Sequence, residues 1–146
     1  MVGSGPAGLA SAQQLNRAGH KVTVYEKNDR IGGLLRLGIP DFKLEKKVVQ
    51  RRVDQMRSEG IEFITNAYIG KNIPIKKLMD ETDAILLTGG STIPRDLPVG
   101  GRDLNGVHYA MDYLTQQNRI NSGEVIDPSE RISAEGKRVI LSLIHI

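Results

Sequence analysis

Gly3, Gly5 and Gly8 stand as G-x-G-x-x-G, and Glu26 follows Gly8 after seventeen intervening residues. That spacing suits the non-covalent chemistry of holding a dinucleotide. The first glycine permits a tight strand-to-helix turn, the second lets the backbone approach a pyrophosphate, and the third lets helix and strand pack closely. A helix that begins at Pro6 loses nothing from the missing proline N–H. Its uncapped N–H groups and positive dipole end, around Ser4, Pro6 and Ala7, would face the phosphates. Glu26 closes the apolar run Val22-Thr23-Val24-Tyr25, where a carboxylate can accept hydrogen bonds from a ribose diol.

These residues need a strand, a helix and a second strand to position them, and the sequence supplies the helix, the second strand and the end of the first. Leu9, Ala12, Leu15 and Ala18 recur at helical spacing up to Gly19, and a β-branched strand follows. A glycine-rich turn in an unrelated α/β protein would lack that order of helix, strand and acid. A strand of about five residues is usual before the first glycine, yet only Met1 and Val2 precede Gly3. Residues Lys137 to Leu141 read as the start of another buried strand at the far end. The expectation is a parallel α/β sheet with helices, truncated at both ends, in a fragment of a larger protein.

Composition narrows the alternatives. The chain has 146 residues, enough for one modest domain, with 39% hydrophobic and 25% charged residues, as in ordinary globular proteins. A net charge of +3 without basic runs interleaved with aromatics argues against nucleic acid as a partner. No apolar stretch reaches membrane-spanning length, and no secretory signal opens the chain, so a cytoplasmic, non-membrane location is expected. The absence of cysteine excludes disulfides and cysteine-ligated metal from this segment, and no metal site is expected.

Between Lys27 and Leu44 runs a long connection containing Gly32-Gly33, Leu34 and Gly38-Ile39-Pro40. It is either a surface excursion or a loop wrapping an extended cofactor, with Gly33 and Leu34 near its phosphates and Lys43 supplying a cation. Val49, Val53 and Met56 predict a helix over 45–59, whose basic residues Lys46, Lys47, Arg51, Arg52 and Arg57 read as a solvated face. A strand over 61–65, a short extended piece over 67–69 and a short helix over 75–79 follow. Residues 83–88 then read as a buried parallel strand ending in Gly89-Gly90, small residues that would leave room for a cofactor. Residues 91–106 read as a loop and 107–121 as a helix. His108 has no partner acid or nucleophile in view and reads as structural.

The stretches GSGPAGLASAQQLNRAGH, RIGGLLRLGIPDFKLEKKVVQRRVDQM and LLTGGSTIPRDLPVGGRDLNGVHYAMDYLTQQNR, with ISAEGKRVI, together resemble one family. It is the family of small (beta) subunits of NADPH-dependent glutamate synthase. The wider group includes flavin domains of dihydropyrimidine dehydrogenase and NADPH–ferredoxin reductases. The joined pattern GGLLR-x-GIP-x-FKL is more specific than the glycine fingerprint.

The resemblance implies a Rossmann-like FAD-binding domain over 1–136, with 137–146 beginning an NADPH-binding domain. It implies that Gly3, Ser4, Gly5, Pro6, Ala7, Gly8, Glu26, Lys27, Gly33, Leu34, Lys43, Ile69, Gly89 and Gly90 surround FAD. NADPH and iron–sulfur clusters would belong to the full-length protein rather than to this segment. Electrons would pass from NADPH through FAD and the clusters to the glutamate-forming large subunit, the implied partner. The flavin would carry the redox chemistry, so no catalytic side chain is named. Another acceptor, such as ferredoxin or a pyrimidine, or a plain NAD-binding module, are the alternatives. Leu37 departs from a position where relatives more often carry tyrosine. The tail LSLIHI fits no family pattern and reads as foreign sequence on a truncated gene. A central strand reduced to two residues predicts an isolated chain that is unstable or weak in FAD binding.

Overall fold

The computed structural model describes residues 1–96 and 98–142. Two compact units divide the chain, Met1–Gly90 and Ser91–Ile146. In the first, helix α1 (Pro6–Arg17) starts at Gly5, whose extended backbone (φ −68°, ψ −174°) turns the chain into the helix. The Leu9 N–H donates to Gly5 O at 2.9 Å, and Gly19, at φ +92°, follows the helix end. Strand β1 (Thr23–Tyr25) comes next, then a one-turn helix α2 (Leu34–Leu37) and helix α3 (Lys46–Ser58). Strand β2 (Glu62–Ile64) and helix α4 (Ile75–Glu81) complete the elements of this unit.

β1 and β2 run parallel, with Thr23 opposite Glu62 and Tyr25 opposite Ile64. Val2 bridges Tyr25 on one side and Leu87 on the other, both in parallel sense. The Gly3 N–H reaches Tyr25 O at 2.8 Å, the Val2 N–H reaches Leu86 O at 2.9 Å, and the Thr88 N–H returns to Val2 O at 2.8 Å. The lateral order is therefore β2, β1, Met1–Val2, Leu86–Thr88, which is the order of a Rossmann half with its first strand in the middle. The chain reaches β2 from β1 through α3, the crossover that parallel strands require.

The core lies between sheet and helices. Leu9 and Ala12 of α1, Val53 and Met56 of α3, Val22 and Val24 at β1, and Ile31 and Ile61 form one buried cluster. The helical spacing of Val49, Val53 and Met56 is thus the buried face of α3, as expected from the sequence. The basic residues of α3 are not all solvated, however. The Lys46 side chain keeps only 12% of its surface exposed and lies 3.3 Å from Asp41 Oδ1. Lys46 Nζ also donates to the carbonyls of Ile39 and Leu44. Unpaired carbonyls in a half-buried loop need donors, and a long ammonium side chain reaches them where a backbone N–H does not.

Two further expectations are corrected. Residues 83–88 are not a buried strand: they make a single bridge at Leu87, and Leu86 and Leu87 are 40% and 70% exposed. Burial of a parallel strand comes from the strands and helices on either side, and among the described residues this run bridges Val2 alone. The connection after β1 also contains α2, which was not expected.

In the second unit, helix α5 (Ala110–Asn121) is the one regular element among the described residues, and it is shorter than the expected 107–121. Gln116 fixes the following segment to it, donating to Ile132 O and accepting from Ile132 N–H, both at 2.9 Å. Before the helix, the Arg102 guanidinium lies 4.4 Å over the Tyr109 ring and pairs with Asp96. His108 is exposed. The strand expected over 137–141 is not formed, and Val139, Ile140 and Leu141 are 59%, 97% and 50% exposed. An apolar run becomes a strand only when a ladder partner and a second layer meet it. The last four residues of the LSLIHI tail lie outside the described residues.

Candidate functional site

The fingerprint turn is built by contact. A Cβ placed on Gly8 would sit 2.2 Å from Gly3 O, and one on Gly3 would sit 2.4 Å from Thr88 O. Backbone thus packs on backbone at both positions, and no larger residue fits without moving it. The Thr88 hydroxyl secures the same junction, lying 2.9 Å from Val2 O and 3.0 Å from Gly3 O. Gly5 is different: a Cβ there would meet nothing within 4 Å. The open space lies at the start of α1, whose first N–H groups a helix cannot satisfy internally. A phosphate oxygen fits that combination of space, donors and dipole.

Glu26 is held beside this turn. It is 4% exposed and accepts four hydrogen bonds among the described residues. Its Oε2 receives the Ser4 N–H at 3.1 Å and the Ser4 hydroxyl at 2.5 Å. Its Oε1 receives the Asn28 N–H at 2.9 Å and the Asn28 side-chain amide at 2.7 Å. The Ser4 oxygen also accepts the Gly32 N–H at 3.0 Å. One hydroxyl therefore links the fingerprint turn, the acid and the glycine loop. A carboxylate so placed fits recognition of a diol, which offers two donors.

The Gly32-Gly33 loop closes over the turn. Gly33 adopts φ 52°, and a Cβ there would come within 2.8 Å of Gly5 Cα. This left-handed residue, with backbone on one side, is what starts α2 and leaves Leu34 49% exposed next to it. The other expected residues fall as follows. Pro6 and Ala7 form the exposed first turn of α1. The Lys27 ammonium lies 5.8 Å above the Tyr68 ring, which Lys71 also meets at 5.6 Å. The Ala67 N–H donates to Glu26 O at 2.8 Å, which ties the segment leading to Ile69 to the main chain of the acid, and Ile69 itself bridges Ile73. Gly89 and Gly90 are both exposed; Gly89 adjoins Gly3, and Gly90 adopts φ 65°. Lys43 is exposed after the Pro40 turn.

Sequence reasoning assigned no part to Asn28. Its amide completes the ring of donors around Glu26, and an asparagine two residues past an acid gives no periodic signal by which to find it. Among the described residues no group of His, Cys, Asp and Glu could hold a metal ion, and no helix is long and apolar enough to cross a membrane.

The fold and the site define a Rossmann-like nucleotide-binding unit, and residues 1–43 match the family model described as an NAD(P)-binding Rossmann-like domain. Along 97% of its length the chain is 54% identical to the glutamate synthase (NADPH) small chain of Mycobacterium tuberculosis strain H37Rv. It is 52% identical to the corresponding small chain of Bacillus subtilis, again over 97% of its length. Glutamate synthase (NADH) of Schizosaccharomyces pombe is 50% identical over the same share, of which the chain covers 7%. These glutamate synthases are its curated homologues. The chain spans about 30% of the bacterial small chains. Among solved structures, a complex of 2-naphthoyl-CoA reductase aligns with 80% of the chain and 17% of that protein, at TM-score 0.66 and 28% identity.

Proposed function

We propose that residues 1–136 are part of the FAD-binding domain of a glutamate synthase small subunit, and that 137–146 lead toward its NADPH-binding domain. The observation that carries this reading is the identity of 52–54% to bacterial small chains over 97% of the chain. Around FAD would stand Gly3, Ser4, Gly5, Pro6, Ala7, Gly8, Glu26, Lys27, Gly33, Leu34, Lys43, Ile69, Gly89 and Gly90. The helix start and Gly5 would take the pyrophosphate, and Glu26 the adenosine ribose. When bound, FAD supplies the redox chemistry. The protein's share is orientation and charge. In the whole enzyme NADPH would be the donor, and electrons would pass through iron–sulfur clusters to a large-subunit partner.

The family model's description as NAD(P)-binding keeps a plain NAD module as the second reading. Under either reading the buried Glu26 carboxylate disfavours a ribose 2′-phosphate at this site by like charge. The test is a chimera in which this chain replaces the matching 141-residue segment of the Bacillus subtilis small chain. The chimera is expected to purify yellow and to reduce a dye with NADPH. A folded chimera that takes up no flavin would overturn the FAD reading, and uptake of NAD in its place would favour the second.

A further inference from the structure

Resting on the nucleotide-site reading, we infer that the Asn28 side chain is a self-latch. It occupies on Glu26 the position a ribose hydroxyl must take, so the site opens by displacing it. Each carboxylate oxygen has two good acceptor positions. On Glu26 all are filled, two by main-chain N–H groups of Ser4 and Asn28 and two by the side chains of the same residues. The main-chain donors are fixed by the turn and by the end of β1. A diol can reach this carboxylate only by replacing side-chain donors.

The two side chains are not equally displaceable. Ser4 is fully buried, and its oxygen also accepts the Gly32 N–H, so turning it away strands a buried donor of the glycine loop. Asn28 is half-buried, and its amide makes one side-chain bond, to Glu26 Oε1. Rotation about its χ angles releases the amide to solvent and leaves the main-chain bond of Asn28 in place. The first hydroxyl of the ribose therefore exchanges with the Asn28 amide. The latch keeps a buried carboxylate satisfied before ligand arrives and lowers the apparent affinity for ligand by the bond that must be given up.

The test uses ADP and 2′,3′-dideoxy-ADP as probes on the 146-residue chain and its Asn28→Ala variant, by calorimetry, with circular dichroism to establish folding. Asn28→Ala is expected to bind ADP about fivefold tighter or more, since a bond to an ionised group is worth at least a factor of about ten before water replaces it. Dideoxy-ADP should bind both proteins alike. Unchanged or weaker ADP binding by the variant, or equal tightening for the dideoxy compound, overturns the latch while leaving the nucleotide site standing. Failure of both folded proteins to bind ADP overturns the site reading and the latch with it. Should the variant not fold, NMR of the wild-type Asn28 side-chain amide decides. Its resonances must shift at saturating ADP and stay unchanged with bound dideoxy-ADP, and an unshifted amide in the ADP complex overturns the proposal.

Discussion

The three fingerprint glycines do different work, and substitution separates them. Gly8 is required by packing, because a Cβ would press on Gly3 O at 2.2 Å. Gly8→Ala should destabilise the chain by about 1–3 kcal/mol, the usual range for forced overpacking, seen as a lower midpoint in a denaturant melt. Gly5 has open space around it and an ordinary φ of −68°. Gly5→Ala should cost no more than about 1 kcal/mol in the melt, the loss of a glycine N-cap, while weakening ADP binding in calorimetry. Equal effects on melt and binding at both positions would contradict the division. Glycines at fingerprint spacing and the acid after the next strand were legible in the sequence. The Asn28 donors that hold that acid were not, because where they meet it is set by the loop's path.

Among elements, α3 was read most faithfully, since thirteen residues carry enough helical period to mark a face. Met56, in its last turn, is 1% exposed, and Met56→Ala should cost about 2–5 kcal/mol in a urea melt, as for other buried methionines. A loss under about 1 kcal/mol, the cost of a surface site, would place it outside the core. α2 escaped because four residues have no period, and it begins on the left-handed Gly33 rather than on a capping side chain. The run 83–88 misled for the opposite reason. Its apolar sequence fits a central strand, but pairing depends on the neighbour, and among the described residues only Val2 bridges it.

The C-terminal end of α3 also meets α1 through Glu59. Gln13 and then Gln55 donate to its carboxylate, at 3.3 and 2.7 Å, and hold its pKa below the ordinary carboxylate value. A depressed folded pKa contributes stability at pH above the unfolded value and loses it as pH falls through the folded one. The advantage of wild type over Glu59→Ala in thermal melts should therefore be full near neutrality and shrink through the acid range below ordinary carboxylate titration. An advantage that grows with acid would refute the assignment.

For the whole molecule, every candidate residue falls in the unit Met1–Gly90. The placement of Gly3, Gly8 and Glu26 around one turn was legible from local signals of helix, strand and glycine. The second unit offered a helix and little more, and its apolar end forms no strand because nothing among the described residues pairs with it. As part of the proposed FAD domain, the chain should recognise the adenosine-diphosphate half of FAD. Equilibrium dialysis against FAD and FMN tests this most directly, because it registers weak binding that desalting would lose. Saturable binding of FAD is expected, displaced by excess ADP, and none of FMN, which lacks that half. A folded chain that binds FMN as well as FAD, or binds neither, would contradict it.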